Sequence, residues 1–426
     1  MRKILFWSHL VVGCIAGLVI LILSVTGVLL AYERQVIAWV DRDLRHSPSR
    51  EGAGHAQMGM VLEKLREQQS SLPTAFTMRR SPDSNVEATF GRDRVLYLDP
   101  RTGALLGEGS SAIRRFFHSV EDWHRWLALS NANRATGRAV TGACNLAFLG
   151  LILSGPFLWL PKRWSWQHLR PIVVPRWGVM GRARDFNWHN SLGIWSAVPL
   201  FLIVVSGAVM SYPWANALLY RVTGSEMPAV QGPGGGPRGG PDRNAGKGGS
   251  GPARPQAPAG AFAPPPANLD LTGLDGLWER ATQQTANWQS ISLRLPQNDR
   301  APLIFTIDAG EGGRPDQRAQ LTLHRETGEV LRWEPFSSYS LGRQMRSWVR
   351  FGHTGEAGGW LGQTVAAAAS AGGVLLVWTG FALAWRRWSR WQSRRNNGNM
   401  KTNTDLEATG PVLTSPVGTE FRRQGN

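Results

Sequence analysis

The chain has 426 residues, of which only 18% are charged, and it contains 20 tryptophans. Its formal net charge at pH 7 is +17, but much of the excess of Lys and Arg flanks apolar segments or lies in a Gly/Pro-rich stretch. No DNA-reading motif accompanies it. The composition therefore excludes a nucleic-acid-binding protein and indicates a membrane protein.

Four stretches of the chain are long and apolar enough to cross a bilayer core of roughly 30 Å, which takes about 20 residues of helix. They predict TM1 at residues 1–32, TM2 at 137–160, TM3 at 189–212 and TM4 at 359–386. TM1 is too long for the apolar region of a signal peptide, and no small-x-small cleavage site follows Tyr32. We therefore expect four retained spans with both chain termini on one side.

The orientation of the spans follows from Lys and Arg in short loops, which mark the cytoplasmic side. The basic loop at 161–188 and the tail at 387–426 are both predicted to be cytoplasmic on this ground. Tryptophans in the same loop (Trp164, Trp166 and Trp177) suggest a docking place for an electron donor. The basic residues that set the orientation are Lys162, Arg163, Arg170, Arg176, Arg182 and Arg184 in the loop, and Arg386, Arg387, Arg390, Arg394 and Arg395 after TM4.

Two long segments, 33–136 and 213–358, then lie outside the membrane and resemble each other. Each has a helical pattern followed by short alternating runs typical of strands, which predicts two α+β domains. LYLDPRTGALL (96–106) aligns without a gap to LTLHRETGEVL (321–331), where Thr-Gly supplies a turn. The chain is thus a duplication. The predicted helices are 57–69 and 274–286, and the predicted strands are 75–79, 86–90, 94–98, 290–295, 302–307 and 320–323.

A stretch within the second outer segment, residues 228–268, has few apolar side chains and many Gly and Pro. Such a composition cannot offset the entropy of ordering, and it predicts a flexible tether. The stretch contains a formal GxGxxG at Gly234, Gly236 and Gly239. No strand precedes it and no helix follows it, so it is not a dinucleotide-binding fingerprint.

Histidines recur at equivalent positions of the duplicated spans. HLVVGCIAGLVILILSVTG (9–27) and HNSLGIWSAVPLFLIVVSG (189–207) each begin with His and end in a Thr-Gly or Ser-Gly pair 17 and 18 residues later. Because TM1 and TM3 run in the same direction, His9 and His189 enter the membrane at the same, inner, depth. Each heads a stripe of small residues that allows close approach of another backbone or of a flat ligand.

Two further histidines precede the returning spans. His124 lies before TM2 and His353 before TM4, each ten residues after an arginine, Arg114 or Arg343. His118 is the alternative candidate at the first of these places. Four spans therefore carry four histidines, two at each membrane face. Ionisable groups at membrane depth are rare unless a partner compensates them.

Haem is the cofactor that best suits this pattern, because a porphyrin held edge-on between helices can take one imidazole from each side. A zinc site would need supporting Cys or carboxylate ligands, which the segments lack. A lone histidine at a helix end is usually an interfacial residue, and small residues usually serve helix packing. The paired depths favour haem held by His9 with His189 at the inner face, and by His353 with His124, or else His118, at the outer face.

The remaining polar residues are weaker candidates for a functional site. Arg343, Arg346 and Arg350 form an i, i+3, i+7 stripe suited to an anionic ligand, although a solvated face or lipid headgroups would also explain it. Cys14 and Cys144 fall on opposite sides of the midplane, so no disulfide is expected. Four other histidines are predicted to be surface groups: His46, His55, His168 and His324.

The sequence resembles the PepSY-associated transmembrane proteins of bacterial inner membranes, which include ferric-siderophore reductases. The resemblance rests on the two His-led spans, the TGEVL turn and FGHTGEAGGWLGQ before TM4. It implies two PepSY-like periplasmic domains, haem b bound by His9, His189, His124 and His353, and electron transfer to a ferric siderophore. HRWLALSNANRATGRAV before TM2 is longer than the compact pattern of the family, which is why His118 stays open.

The chain has no credible nucleotide or flavin fingerprint, so the electron donor is expected to be external: a quinol, a reduced flavin or a flavoprotein. The resulting hypothesis is a di-haem inner-membrane reductase that moves electrons outward and releases ferrous iron. The alternative is a non-enzymatic anchor whose PepSY-like domains bind a periplasmic protein or peptide. Paired histidines argue against the anchor, which has no need of them.

Overall fold

The computed structural model describes residues 1–46, 57–159, 165–228, 265–270 and 272–408. Most of the tether predicted at 228–268 lies outside the described residues, as do Trp164, His55 and the last part of the tail. The helices are α1 (Arg2–Leu30), α2 (Glu33–Val40), α3 (Arg42–Arg45), α4 (Met58–Gln68), α5 (Ser111–Trp126), α6 (Arg134–Trp159), α7 (Trp166–Val173), α8 (Gly181–Ser211), α9 (Pro213–Val222), α10 (Leu274–Gln283), α11 (Leu341–His353) and α12 (Gly359–Ala408). The strands are β1 (Ala75–Arg79), β2 (Val86–Phe90), β3 (Arg94–Leu98), β4 (Leu105–Glu108), β5 (Ser290–Arg294), β6 (Leu303–Asp308), β7 (Arg318–Leu323) and β8 (Val330–Pro335).

Four of the described helices are long and apolar enough to cross a membrane, and they correspond to TM1 (α1), TM2 (α6), TM3 (α8) and TM4 (the first half of α12). TM1 and TM3 each pack against both TM2 and TM4. We call the end of this bundle at which TM1 begins the inner end and the opposite end, which carries the sheet, the outer end. The N-terminus and the described end of α12 at Ala408 therefore lie toward the inner end.

Two of these helices are longer than the apolar pattern indicates. TM3 begins at Gly181, eight residues before the predicted start at 189, and α12 continues to Ala408, 22 residues past 386. The extra turns of TM3 are held by polar contacts: Asp185 accepts from Arg184 at 3.0 Å and from Arg386 at 3.2 Å. Hydropathy measures only the apolar part of a helix, so it does not register turns that are stabilised in this way.

The outer segments form a single antiparallel sheet of eight strands, in the order β4-β3-β2-β1-β5-β6-β7-β8. The four strands of each segment are a meander, and β1 pairs with β5 from Ala75↔Arg294 to Arg79↔Ser290. The sequence predicts two domains, whereas the structure joins their edges. Pairing β1 with β5 removes two exposed strand edges, which are otherwise open to unwanted pairing.

One hydrophobic core serves both halves of the sheet. Its central ladder crosses six strands through side chains that share one face: Leu96, Ala88, Phe76, Leu293, Phe305 and Leu321. Buried residues of α4 and α10 pack onto this face, among them Leu62 and Trp278. The two halves therefore share a core as well as a sheet, and this fixes the positions of the helices that lead from the sheet into the bundle.

Candidate functional site

The inner end of the bundle brings two histidines together. His9 on TM1 and His189 on TM3 have ring centroids 6.5 Å apart and ring planes at 82° to each other. Both imidazoles are partly buried. Their separation in sequence is 180 residues, so the contact depends on TM1 and TM3 lying across from each other in the bundle.

The outer end holds a second pair of the same kind. His124 and His353 have ring centroids 6.2 Å apart and planes at 67°. Neither residue lies on a membrane-spanning helix: His124 belongs to α5 and His353 ends α11. These two amphipathic helices precede TM2 and TM4, and they pack against TM1 and TM3 respectively.

The helices α5 and α11 are fixed by equivalent contacts at their first turns. Ser110 caps α5 by accepting from the backbone N–H of Ile113, and Ser340 caps α11 by accepting from that of Arg343, both at 3.4 Å. Such caps satisfy a donor that the helix leaves free. The arginine ten residues before each histidine is also paired: Arg114 with the buried Asp41, and Arg343 with Glu334 at 2.9 Å.

The last turn of α5 and the turn that follows α11 lie directly on the spans that come next. A side-chain carbon at Gly137 in TM2 would come within 2.1 Å of the carbonyl oxygen of Trp126, and one at Gly362 in TM4 within 2.3 Å of that of Gly355. Only glycine admits such an approach. These two glycines are equivalent in the duplication, and they hold the His124 and His353 helices close to the bundle.

Each histidine makes a hydrogen bond through Nδ1 to the hydroxyl of a Ser-Gly or Thr-Gly pair. At the inner end, His9 Nδ1 lies 2.8 Å from Ser154 Oγ and His189 Nδ1 lies 3.0 Å from Thr379 Oγ1. At the outer end the distances are 2.8 Å from His124 Nδ1 to Thr26 Oγ1 and 3.1 Å from His353 Nδ1 to Ser206 Oγ. The Ser-Gly and Thr-Gly dipeptides that mark the duplication in the sequence thus supply the hydrogen-bond partners of the four histidines.

The hydroxyls act as acceptors in these bonds. Each has one hydrogen, and in all four residues it is donated to a carbonyl in the preceding helical turn: that of Ile22, Leu151, Ile203 or Leu375. The oxygen can then only accept from Nδ1–H. His353 Nδ1 also lies 2.9 Å from the Ile203 carbonyl, which is an acceptor only. The proton therefore sits on Nδ1, and Nε2 carries the lone pair that is available to a metal.

The two pairs fit the axial ligands of haem. A metal–nitrogen bond of about 2 Å with one imidazole on each side puts the ring centroids roughly 6 Å apart, close to the 6.5 and 6.2 Å of the two pairs. A ligating histidine usually donates its other ring N–H to a fixed acceptor, as all four do. Among the described residues, no group of three or more His, Cys, Asp and Glu is placed to hold a metal ion, so the histidines come as pairs.

The outer imidazoles are neutral at physiological pH. Burial, with a smaller contribution from neighbouring His353, lowers the pKa of His124 to about 3. Burial also lowers the pKa of His353. A neutral imidazole is the form that ligates a metal, so both residues are in the ligating state without any cost of deprotonation.

His118, the alternative outer ligand, has a different partner. Its Nδ1 is hydrogen-bonded to Asp93, on the side of α5 that faces the sheet region. Of the arginines proposed to receive an anion, Arg343 is paired with Glu334, which Arg332 also contacts, and its guanidinium lies 3.6 Å from the centroid of the Tyr339 ring. Arg346 is partly buried and Arg350 is exposed, so the stripe is reduced to these two.

The other candidates of the sequence lie at the surface or outside the described residues. His168 is exposed and contacts Ser165. His324 accepts from the backbone of Thr327 in its turn. In the inner loop, the side chains of Trp166 and Trp177 are 64% and 79% exposed, and are therefore open to a partner.

Sequence reasoning did not assign a role to the four Ser and Thr partners. Their signal was present, because each stands at a fixed offset from a histidine or a glycine of the duplication. These offsets indicated only that the chain is a repeat. The sequence does not show that each hydroxyl contacts a histidine on a neighbouring helix of the same half of the duplication.

The comparisons with known proteins agree with this architecture. The model of a family described as the PepSY-associated TM region matches residues 6–387, which is most of the chain and includes all four spans, both histidine pairs and the sheet. The comparison with curated proteins gave no match.

Proposed function

The chain belongs to the family described as the PepSY-associated TM region, and on that premise we propose that it is a di-haem membrane reductase. It takes electrons from a donor at the inner end and passes them to a ferric siderophore at the outer end. The observation that carries this proposal is the presence of two imidazole pairs, one at each end of the bundle, in which every Nδ1 is hydrogen-bonded to a hydroxyl. This leaves Nε2 as the ring nitrogen that could take a metal. An anchor for a binding domain needs neither pair.

The placement of the pairs suits electron transfer across a membrane. His189 and Ser206, which contacts His353, are 17 residues apart on TM3. At 1.5 Å per residue this is about 26 Å along the helix axis, comparable to a hydrocarbon core of roughly 30 Å. We assign the inner end to the cytoplasm and the sheet to the periplasm of a bacterial inner membrane, because the short loop between TM2 and TM3 and the segment that follows TM4, both at the inner end, are rich in Lys and Arg next to the spans.

His9 and His189 would hold the inner haem, and His124 and His353 the outer one. When bound, haem supplies one-electron chemistry at iron. The residues of the chain bind it, orient it and set its potential. Ser154, Thr379, Thr26 and Ser206 keep a proton on Nδ1 and fix the direction in which Nε2 points.

The acceptor would bind at the outer end, beside α11. Arg346 and Arg350 lie about two turns and one turn before His353, respectively, and offer positive charge to an acidic chelate. Each ferric ion takes up one electron and leaves as ferrous ion, which siderophores hold far more weakly. The electron comes from an external quinol, reduced flavin or flavoprotein at the inner end.

The first test is a reduced-minus-oxidised absorption spectrum of protein purified from haem-sufficient cells. We expect the bands of low-spin b-type haem at about two haems per chain. The matched control is the double variant His9→Ala/His353→Ala, which removes one ligand from each pair. A wild-type preparation without haem would sink the reductase and leave the peptide-binding or protein-binding anchor as the better reading.

The second test separates haem binding from reductase activity. Oriented vesicles with prereduced haem are mixed with a ferric siderophore that is present only at the outer face, and haem oxidation is followed by stopped flow. The gallium complex of the same siderophore is the control, because gallium(III) has the same charge and cannot be reduced here. Haem that is never reoxidised by the ferric complex would exclude siderophore reduction even if both haems are present.

A further inference from the structure

A groove runs between TM1 and TM4 at the inner end, on the outward side of the bundle, away from the His9 imidazole. Its volume is about 1210 Å³. The deeper part is apolar and is bounded by Leu10, Cys14 and Phe381. The ring of Phe381 packs against Gly17 of TM1 and ends the groove on that side. A side-chain carbon at Gly17 would lie only 2.6 Å from this ring.

The mouth of the groove is basic. Four arginines line it: Arg182, Arg387, Arg390 and Arg394. The lining contains no Asp, Glu or His, and none of the four guanidinium groups is in a salt bridge with a described residue. The neighbouring Arg184 and Arg386 differ, since both are paired with the buried Asp185. The four arginines of the mouth therefore differ from these two neighbours, because their positive charge has no carboxylate partner among the described residues.

Tryptophans stand between the basic mouth and the apolar floor. Trp7 is 51% exposed and Trp385 is 64% exposed, and the Arg387 guanidinium lies 4.8 Å from the centroid of the Trp7 ring. Trp side chains at this depth are typical of the membrane–water interface. The order of surfaces along the groove is thus cationic, aromatic and apolar.

We propose that this groove binds an anionic phospholipid. Arginines bind phosphate oxygens through paired N–H donors, and basic pockets between membrane helices are suited to anionic headgroups. The acyl chain would lie along Leu10, Cys14 and Phe381. Free phosphate would occupy the basic mouth alone and make no contact with the apolar floor, so the charge and the floor together favour a lipid.

The same groove is poorly suited to a quinol. Oxidation of a quinol releases two protons, and these need acceptors beside the ring. The lining offers Arg, Trp, Phe, Cys and aliphatic side chains, and it contains no carboxylate or imidazole that could take up these protons. The lipid site therefore does not depend on the proposed reductase function, and it stands or falls by itself.

The test is native mass spectrometry of the full chain in detergent, with phosphatidylglycerol, phosphatidylethanolamine or decylubiquinone added separately. We expect phosphatidylglycerol to be retained in preference to the other two. Arg387→Gln/Arg394→Gln should weaken its retention by about thirty-fold. The matched control is Arg170→Gln/Arg176→Gln, which removes two exposed arginines at the same end but outside the groove.

A second variant guards against misfolding of the first. Cys14→Phe leaves every charge in place and fills the apolar floor, and we expect it to weaken phosphatidylglycerol binding as well. Equal loss in both arginine pairs would mean a general charge effect and would overturn the site. Preferential retention of decylubiquinone, or unchanged binding in both groove variants, would overturn it too.

Discussion

The inner and outer histidine pairs have nearly the same local geometry but are held in different ways. The inner imidazoles stand on TM1 and TM3 themselves, so two continuous helices position them. The outer imidazoles stand on α5 and α11, which short turns connect to TM2 and TM4. The first turns of these two helices are held by serine caps and arginine ion pairs. The inner pair is thus set by span packing, whereas the outer pair also depends on how the sheet region is joined to the membrane.

Both histidine pairs are assembled from the two halves of the duplication in the same way. Within the first half, His9 meets Ser154 and His124 meets Thr26; the second half repeats this with its own residues. Each histidine pair, by contrast, takes one member from each half. Hydroxyl contacts orient the imidazoles within a half, and the sites close only where the halves meet.

The largest expected effect comes from removing a ligand. His9→Ala or His189→Ala should lower the haem content from two per chain to about one, with little further loss in the double variant, because one haem needs both ligands. His124→Ala and His353→Ala should do the same for the outer haem. Haem is measured as the pyridine haemochrome, with His168→Ala as an exposed control. Four equal and additive losses would contradict the pairing.

His118→Ala sharpens the same comparison. Because His118 is bonded to Asp93 and not to the outer pair, we expect this variant to keep two haems. Loss of the outer haem in His118→Ala, together with its retention in His124→Ala, would transfer the outer ligand to His118.

The next largest effect is expected from two glycine substitutions, which should weaken the outer haem site and leave the inner one intact. Gly137→Ala and Gly362→Ala place a carbon against the carbonyl oxygens of Trp126 and Gly355, so α5 or α11 must move. We expect about tenfold weaker binding of the outer haem, as for an overpacked contact, with the inner haem retained. Gly150→Ala is the control, since a side-chain carbon there meets nothing within 4 Å. Equal loss from both sites would show that the glycines serve the bundle as a whole.

The hydroxyl partners should change the potential more than the occupancy. Thr379→Val removes the hydroxyl that accepts from His189 Nδ1 and leaves only the backbone carbonyl of Leu376 beside it. A net hydrogen bond of about 1 kcal/mol corresponds to roughly 40 mV for one electron, which is the upper bound of the expected shift. The inner haem should become easier to reduce, since its ligand donates less charge to ferric iron. Thr379→Ser should restore the wild-type potential in a redox titration. A variant that loses haem without a shift would have only a structural role.

The outer counterpart of this substitution should have a smaller effect. In Ser206→Ala, His353 Nδ1 keeps its second acceptor, the carbonyl of Ile203 at 2.9 Å. The potential of the outer haem should therefore shift by less than that of the inner haem in Thr379→Val. A shift as large as the inner one would mean that the carbonyl does not substitute for the hydroxyl.

The smallest effect is expected from pH. A lowered pKa means that an imidazole stays neutral as the pH falls, and burial lowers the pKa of both His124 and His353. Between pH 7 and pH 5 the outer haem should stay bound, whereas an exposed histidine pair would become protonated near pH 6.5. The Soret absorbance of the His9→Ala variant, which reports the outer haem alone, measures this. A fall in that absorbance near pH 6.5 would show that water reaches the pair.

Much of the fold could be predicted because its signals are local. Strands β1, β2 and β3 have the bounds that the alternating pattern predicts, since side-chain period alone distinguishes a half-buried strand. Strand β4 was anticipated only as the far side of a Thr-Gly turn. The pairing of β1 with β5 was not predicted, because it joins residues more than 200 positions apart and no local pattern records it.

The sequence by itself determined the four spans, the duplication, the family and the four histidines, because hydropathy, repeat offsets and composition are properties of neighbours along the chain. Only the tertiary structure decided which histidines face each other, that Ser154, Thr379, Thr26 and Ser206 hold their Nδ1 protons, and that Arg343 is committed to Glu334. These contacts are made between helices that are distant in sequence. Their geometry is set by side-chain packing across the bundle, which a linear pattern does not contain.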